Sequence, residues 1–380
     1  MLSREIDYPK VRTFLDSVGR NSLKTRDAYD LGLTMLQRHL KQSCSQDNVE
    51  SILDKLQKNK INPYELIDGF VSYLVGLRQD YNDAPLAPTT IALRVYAVRS
   101  YFQYYDIDIN PSRFRRKVRM PKIAREDEQP IDSTDIRKIL LACNNRRLKA
   151  YLLVLGSGGM RAMEGLAIRN MDVDFGVSPT MIRIRKEYTK TKVARNIYVS
   201  DEATAYLRQW LDWKYREDKD GKLTAKPDDL VFSPCGGTDP NSSYEKLVFE
   251  FHKLLKVVGL ADRKENSRRR KITLHSFRRF VKSIISDNVN QDYSEWFLGH
   301  RKSPYYVKKE LELREIYRTR CMPHLVFLDY TMLEHATKAI LFISIRLLYQ
   351  CTFLLVSQNT RICNQVGRVV ITEMIPILPQ

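Results

Sequence analysis

Between Tyr8 and Tyr105 the apolar positions recur at three- and four-residue spacing with polar breaks between them, which predicts a run of helices. Val11, Phe14, Leu15 and Val18 form one face. Ser22 to Thr25 reads as a helix start, with Tyr29, Leu33, Leu36 and Leu40 on the face that follows. Pro63 opens a third helix, YELIDGFVSYLVGL. Pro88-Thr89-Thr90 caps a fourth, whose buried side carries Ile91, Val95, Val98, Phe102 and Tyr105 while Arg94 and Arg99 lie off it. The pattern resumes at Ile131, where Asp132, Ser133 or Thr134 can cap a helix containing Ile136, Ile139 and Leu140. Ala203 to Tyr215 and Tyr244 to Val258 are further amphipathic helices. The period changes in MIRIRKEYTKTKVARNIYVS: IRIR and NIYV alternate, so a strand, a turn and a returning strand are expected. VFSP, Val231 to Pro234, reads as a short strand and turn, and the residues after Val307 as one more helix with a strand-like apolar end.

The 380 residues suffice for two domains. Between the helical block and the mixed block lies PSRFRRKVRMPKIAR, Pro111 to Arg125, with seven basic residues and no acid, punctuated by Pro111, Pro121 and then Pro130. It reads as a linker rather than a packed element. The expected division is a helical domain over 1–108, a basic linker over 109–130, a second domain over 131–335 and an unassigned apolar tail over 336–380. Arg346 and Gln350 interrupt the tail's longest apolar run, AILFISIRLLYQCTFLLV, so no membrane span is expected.

Lysine and arginine number 63 against 45 acids, a net charge of +18 with a pI near 9.5. That field favours a polyanionic partner, nucleic acid ahead of membrane, and fits a basic housekeeping protein equally well. Cys44, Cys143, Cys235, Cys321, Cys351 and Cys363 are scattered with no C-x-x-C pair, which argues against a disulfide scaffold or a metal site and for a reducing cytoplasm. The first residues, MLSREIDYPK, carry no apolar h-region.

The chemistry concentrates in Ile272 to Tyr306. His275 and Arg278, as H-x-x-R, share a helix face, so both can address one ligand. A guanidinium offers bidentate hydrogen bonds to phosphate, an imidazole exchanges protons near neutral pH, and a tyrosine hydroxyl can attack and hold a covalent intermediate. His300 in L-G-H and the pair Tyr305 and Tyr306 complete the set. With these spacings the stretch resembles the tyrosine recombinase (phage integrase) family, most closely archaeal-type integrases, in which a Tyr-Tyr pair precedes an acidic helix and a further tyrosine, here Tyr317. The first family box, Gly-x-Arg-x-x-Glu, matches Gly159, Arg161 and Glu164. Its arginine, flanked by apolar residues, is expected to be partly buried.

The resemblance implies a mainly α fold with a small β-sheet: a helical core-binding (SAM-like) domain joined to a mixed α+β catalytic domain. It implies a site-specific recombinase that cuts and rejoins double-stranded DNA through a 3′-phosphotyrosyl intermediate, as a tetramer on paired sites, without metal, ATP or other cofactor. Arg161, Arg278 and His300 would stabilise phosphate charge, Lys190 would protonate the leaving oxygen with Lys186 and Lys192 as rivals, and His275 would assist proton transfer at the nucleophile. Glu164 would orient its neighbours. Tyr306 is preferred as nucleophile, with Tyr305 and Tyr317 as alternatives. The linker residues Arg113, Arg115, Arg116, Lys117, Arg119 and Lys122 would contact the DNA backbone. The other readings are an inactive DNA-binding regulator with this fold and a type IB topoisomerase-like enzyme.

Overall fold

Proline or a short polar residue starts most helices of the first unit. The computed structural model describes residues 7–43, 46–78, 84–122, 130–218, 221–222, 224–234, 237, 239–263, 270–300 and 306–328, and divides the chain into a unit within residues 7–122 and another within residues 130–328. The first unit holds α1 (Pro9–Gly19), α2 (Leu23–Gln42), α3 (Ser51–Gln57), α4 (Pro63–Gly76), α5 (Pro88–Tyr104) and α6 (Pro111–Lys117). Ser22 Oγ accepts the Thr25 N–H at 3.2 Å, and Asn62 caps α4 ahead of Pro63. α5 departs from expectation: it starts at Pro88 after Ala87 with no side-chain cap. α3 is too short for its period to show in the sequence, yet it buries Ile52, Leu53 and Leu56. Arg94 and Arg99 are also held between helices rather than in solvent. Arg94 donates to the Ala28 carbonyl at 2.8 Å, and the Arg99 guanidinium lies 4.2 Å over the Phe114 ring.

That last contact corrects the linker reading. Asn110 accepts from the N–H groups of Ser112 and Arg113, α6 follows, and Ile109, Phe114 and Val118 are buried in the unit's core. The apolar residues at 109, 114 and 118 are what the count of basic residues concealed. Residues 123–129 lie outside the described residues, as does the tail 336–380.

The second unit packs α7 (Ser133–Ala142), α8 (Arg146–Gly158), α9 (Ala162–Leu166), α10 (Asp201–Lys214), α11 (Pro240–Val257), α12 (Leu274–Asn288), α13 (Gln291–Leu298) and α14 (Glu310–Ile316) around a three-stranded antiparallel sheet. Asp132 caps α7 by accepting from Asp135 N–H at 2.7 Å. α8 is buried on every side from Leu148 to Gly158 except at Lys149, as an all-apolar helix must be. The sheet runs β1 (Val173–Asp174), β2 (Met181–Ile184), β3 (Arg195–Tyr198), with Ile182 opposite Ile197 and Ile184 opposite Arg195. Their alternation turns Ile182, Ile184 and Ile197 into the core. A second, two-stranded ribbon joins β4 (Glu217–Asp218) to β5 (Gly221–Lys222). Val231 to Pro234 is a turn and not a strand, although its neighbour Leu230 forms a single bridge with Arg169. After α14 the chain widens into a π-helical turn at Tyr317–Cys321, and the expected strand-like end is instead an irregular segment whose Leu325, Phe327 and Leu328 are buried. Glu202, buried in α10, accepts the backbone N–H groups of Phe327 and Leu328 at 2.8 and 2.5 Å.

Candidate active site

Two glycines with positive φ set the site's geometry. Gly159 (φ +60°) ends α8, and a Cβ there would come within 2.8 Å of Val281 and Leu298 side-chain atoms. Its carbonyl accepts Arg278 Nη1 at 2.8 Å. Gly299 (φ +69°) ends α13, and a Cβ there would sit 2.7 Å from the Arg195 side chain. These positions explain the glycines of the two sequence boxes as close packing that only hydrogen permits.

Arg278 projects from α12 into this junction and is 3% exposed. Its Nη2 donates to the Leu298 carbonyl at 2.7 Å and to His300 Nε2 at 2.9 Å. Burial first, then the positive charge of Arg161, pulls the guanidinium down to about 10, so it stays cationic at neutral pH. Arg161, half-buried after the α8 turn, pairs with Glu164 at 2.8 Å, and Glu164 also accepts Arg195 Nη2 at 2.6 Å and the Arg161 backbone N–H at 2.9 Å. Burial alone would raise the Glu164 carboxyl, but the Arg195 and Arg161 hydrogen bonds outweigh it and hold the group below its ordinary value. Glu164 thus fixes two guanidinia, and Arg195, reaching also to the Phe297 carbonyl at 3.2 Å, ties β3 to α13.

His275 stands one helical turn before Arg278 with an exposed edge. Partial burial, then the charges of Arg278, Arg161 and His300, lower it, which favours the neutral ring at pH 7. His300 is lowered by burial and by Arg278 against the opposing pull of Glu295. Its Nδ1 lies 2.6 Å from Glu295 Oε2, and Lys282 Nζ lies 2.7 Å from Glu295 Oε1.

The remaining predicted residues are placed elsewhere. Lys190 is exposed in the turn joining β2 to β3, as are Lys186 and Lys192. Tyr305 falls outside the described residues. Tyr306 packs against the unit's core, and its hydroxyl is buried without a hydrogen-bond partner among the described residues. Burial, then Glu312, Asp292 and Cys321, raise it above the ordinary phenol range; the charges acting on it are acidic and not those of the arginine cluster. Tyr317 is a core residue, fully buried, stacked on Phe297 at 5.4 Å and donating to the Ser157 carbonyl at 3.0 Å.

In the first unit Arg113, Arg115, Arg116, Lys117, Arg119 and Lys122 are all exposed. Arg113, Arg116 and Lys117, at helical spacing, line an open cavity of about 890 Å³ together with Asn59 and Asn62, while Arg115 and Arg119 are not part of its wall. No group of acidic, histidine or cysteine residues that could hold a metal occurs among the described residues, and no described helix is long and apolar enough to cross a membrane.

Residues 129–306 match the model of the phage integrase family. This stretch, a little under half of the chain, is similar to that family. The chain is 30% identical over 130 residues to tyrosine recombinase XerA of Saccharolobus solfataricus, covering 34% of this chain and 41% of that protein. It is 27% identical over 197 residues to tyrosine recombinase XerC of Escherichia coli O139:H28, covering 49% of this chain and 60% of that protein. The matches therefore span between two fifths and three fifths of these two relatives. Among solved structures, XerH site-specific recombinase bound to a palindromic difH substrate aligns with a TM-score of 0.49 and 16% identity over 89% of this chain and 90% of that one.

Arg195, Glu295 and Lys282 are the residues of this site that the motifs missed. Arg195 is signalled only by a charge at a position where the strand's alternation points inward. Glu295 and Lys282 belong to no box, and their meeting depends on how α12 and α13 cross.

Proposed function

We propose that the protein is a site-specific DNA recombinase that acts through a 3′-phosphotyrosyl intermediate, without metal or ATP, in the cytoplasm. The reading is carried by one observation: Arg161, Arg278, His275 and His300 converge at the junction of α8, α12 and α13, with two guanidinia prefixed by Glu164, Gly159 and Leu298. Such preset cations stabilise charge that develops on non-bridging phosphate oxygens, because they need no reorganisation when the reaction occurs.

In this reading Arg161, Arg278 and His300 bind the scissile phosphate. His275, held neutral, takes the proton of the attacking tyrosine, and Lys190 gives one to the leaving 5′-oxygen from its exposed turn. The P–O bond to the 5′-oxygen breaks as the tyrosine oxygen bonds to phosphorus. A 5′-hydroxyl from a second duplex reverses the exchange, so the phosphoester is conserved throughout. Tyr306 is the proposed nucleophile, and the buried state of its hydroxyl means that the segment carrying it moves before attack. Tyr317, spent on the Ser157 carbonyl, is a packing residue in this account. The basic residues of α6 bind the DNA backbone, and four protomers join two sites. The domain division becomes a helical DNA-clamping domain extended to Val118, a connection through 119–130 and the integrase-family domain.

A nicked suicide substrate bearing the cognate site tests this. The trapped covalent complex should form in the presence of a chelator. A complex that forms only with added magnesium would overturn the metal-free mechanism, and specific binding with no trapping would favour the inactive regulator.

A further inference from the structure

The chain Lys282 Nζ, Glu295, His300, Arg278 Nη2 is continuous, with separations of 2.7, 2.6 and 2.9 Å. A guanidinium only donates, so His300 Nε2 must accept from Arg278. The imidazole's single proton therefore sits on Nδ1, where it is donated to Glu295 Oε2. Lys282, also a donor, takes the other carboxylate oxygen. Every group in the chain is matched, and only a carboxylate at 295 can accept from both sides. Glu295 is five residues ahead of His300, brought beside it because α13 ends in the left-handed Gly299 and turns the chain back.

We propose that Glu295 is a positioning residue that holds His300 as the Nδ1–H tautomer, keeping Nε2 directed at Arg278 and reserved for the phosphate site. The proposal rests on the reading of this junction as a phosphodiester site. When a phosphate oxygen draws Arg278 away, the freed Nε2 can take up a proton, and the imidazolium, still held through Nδ1–H by Glu295, donates to that oxygen. The charged and titratable groups around the His300 ring are Arg278, Lys282 and His275 from α12 and Glu295 from α13.

Glu295→Gln tests the idea because an amide has one accepting atom, where Lys282 and His300 each need one of the two carboxylate oxygens. With Lys282 claiming its oxygen, the amide would turn its NH₂ to His300 Nδ1 and drive the proton to Nε2, facing the Arg278 donors. Long-range ¹H–¹⁵N spectra of the full chain labelled in histidine, with His300 assigned by comparison with His300→Asn, read the tautomer directly. The wild type should show a protonated Nδ1, Glu295→Gln a protonated Nε2, and Glu295→Gln with Lys282→Met a return to Nδ1–H. Single-turnover covalent-complex formation should fall on the order of tenfold or more in Glu295→Gln, as loss of a tautomer-fixing partner does elsewhere, and recover in the double variant. A wild-type Nε2–H tautomer, or a Glu295→Gln variant unchanged in both spectrum and rate, overturns the proposal. If the wild type shows Nδ1–H but never forms a covalent complex, the recombinase reading fails while the tautomer assignment stands.

Discussion

Arg278 and Arg116 carry the same guanidinium in a chain of net charge +18, in opposite surroundings. Arg278 is buried and held by two carbonyls and an imidazole; Arg116 is exposed on α6 beside other cations and, among the described residues, in no ion pair. Burial without a directly paired acid raises the energy of the first charge, Glu164 and Glu295 offset this in part, and an incoming anion would relieve it further. The second remains solvated and adds to a field that acts at range and is screened by salt. The difference teaches that positive charge alone does not mark the reacting centre. What marks it is a cation whose geometry the fold has already fixed.

If that contrast is correct, substitutions in the two regions should separate chemistry from binding. The largest effect belongs to Arg278→Ala, which should lower the rate of covalent-complex formation by on the order of a hundredfold or more, while affinity for cognate duplex in a gel-shift titration stays within about tenfold. Near wild-type cleavage would show the cluster to be structural. Next comes the triple change of Arg113, Arg116 and Lys117 to Ala. Binding should weaken, and the slope of log affinity against log salt should flatten by about three, with the cleavage rate at saturating DNA unchanged. A rate loss at saturation would place these residues in the chemistry and dissolve the contrast.

Much of the second unit was readable in the chain. The boxes Gly159-x-Arg161-x-x-Glu164, His275-x-x-Arg278 and Leu298-Gly299-His300 lie far apart in sequence, and helix periodicity sufficed to place His275 and Arg278 on one face. The mainly helical fold and the hairpin of β2 and β3 also follow from periodicity. What was not legible depends on partners distant in sequence. α6 looks like solvated linker until Phe114 meets Arg99, and VFSP resembles a strand although it has only one backbone bridge nearby. Glu202 gave no local signal, because its role is fixed by backbone groups 125 and 126 residues away. The buried state of the Tyr306 hydroxyl follows from how the segment after α13 packs, which spacing in the sequence does not encode.

A smaller effect concerns that segment. Burial, against the donors of Phe327 and Leu328 and the charge of Arg137, lifts the Glu202 carboxyl from 4.5 to about 7. The folded state thus holds this proton more tightly than the unfolded one. The contribution is full below about pH 4.5 and is lost as pH rises through about 7, a change of up to about 3 kcal/mol. Denaturant unfolding at pH 5 and pH 8 should show this fall in the wild type and a flatter dependence in Glu202→Gln; equal slopes would remove Glu202 as its source. The smallest effect is expected for Tyr317→Phe, which deletes the bond to Ser157 and should cost about 1 kcal/mol with covalent trapping retained.

The account's central claim, that this cationic junction serves a tyrosine delivered from the segment after His300, is tested most directly by trapping wild-type protein on a nicked cognate duplex and mapping the DNA-linked peptide by mass spectrometry. The account predicts phosphodiester attachment at Tyr306. Attachment at Tyr317, which would have to abandon its buried bond to the Ser157 carbonyl, would contradict it.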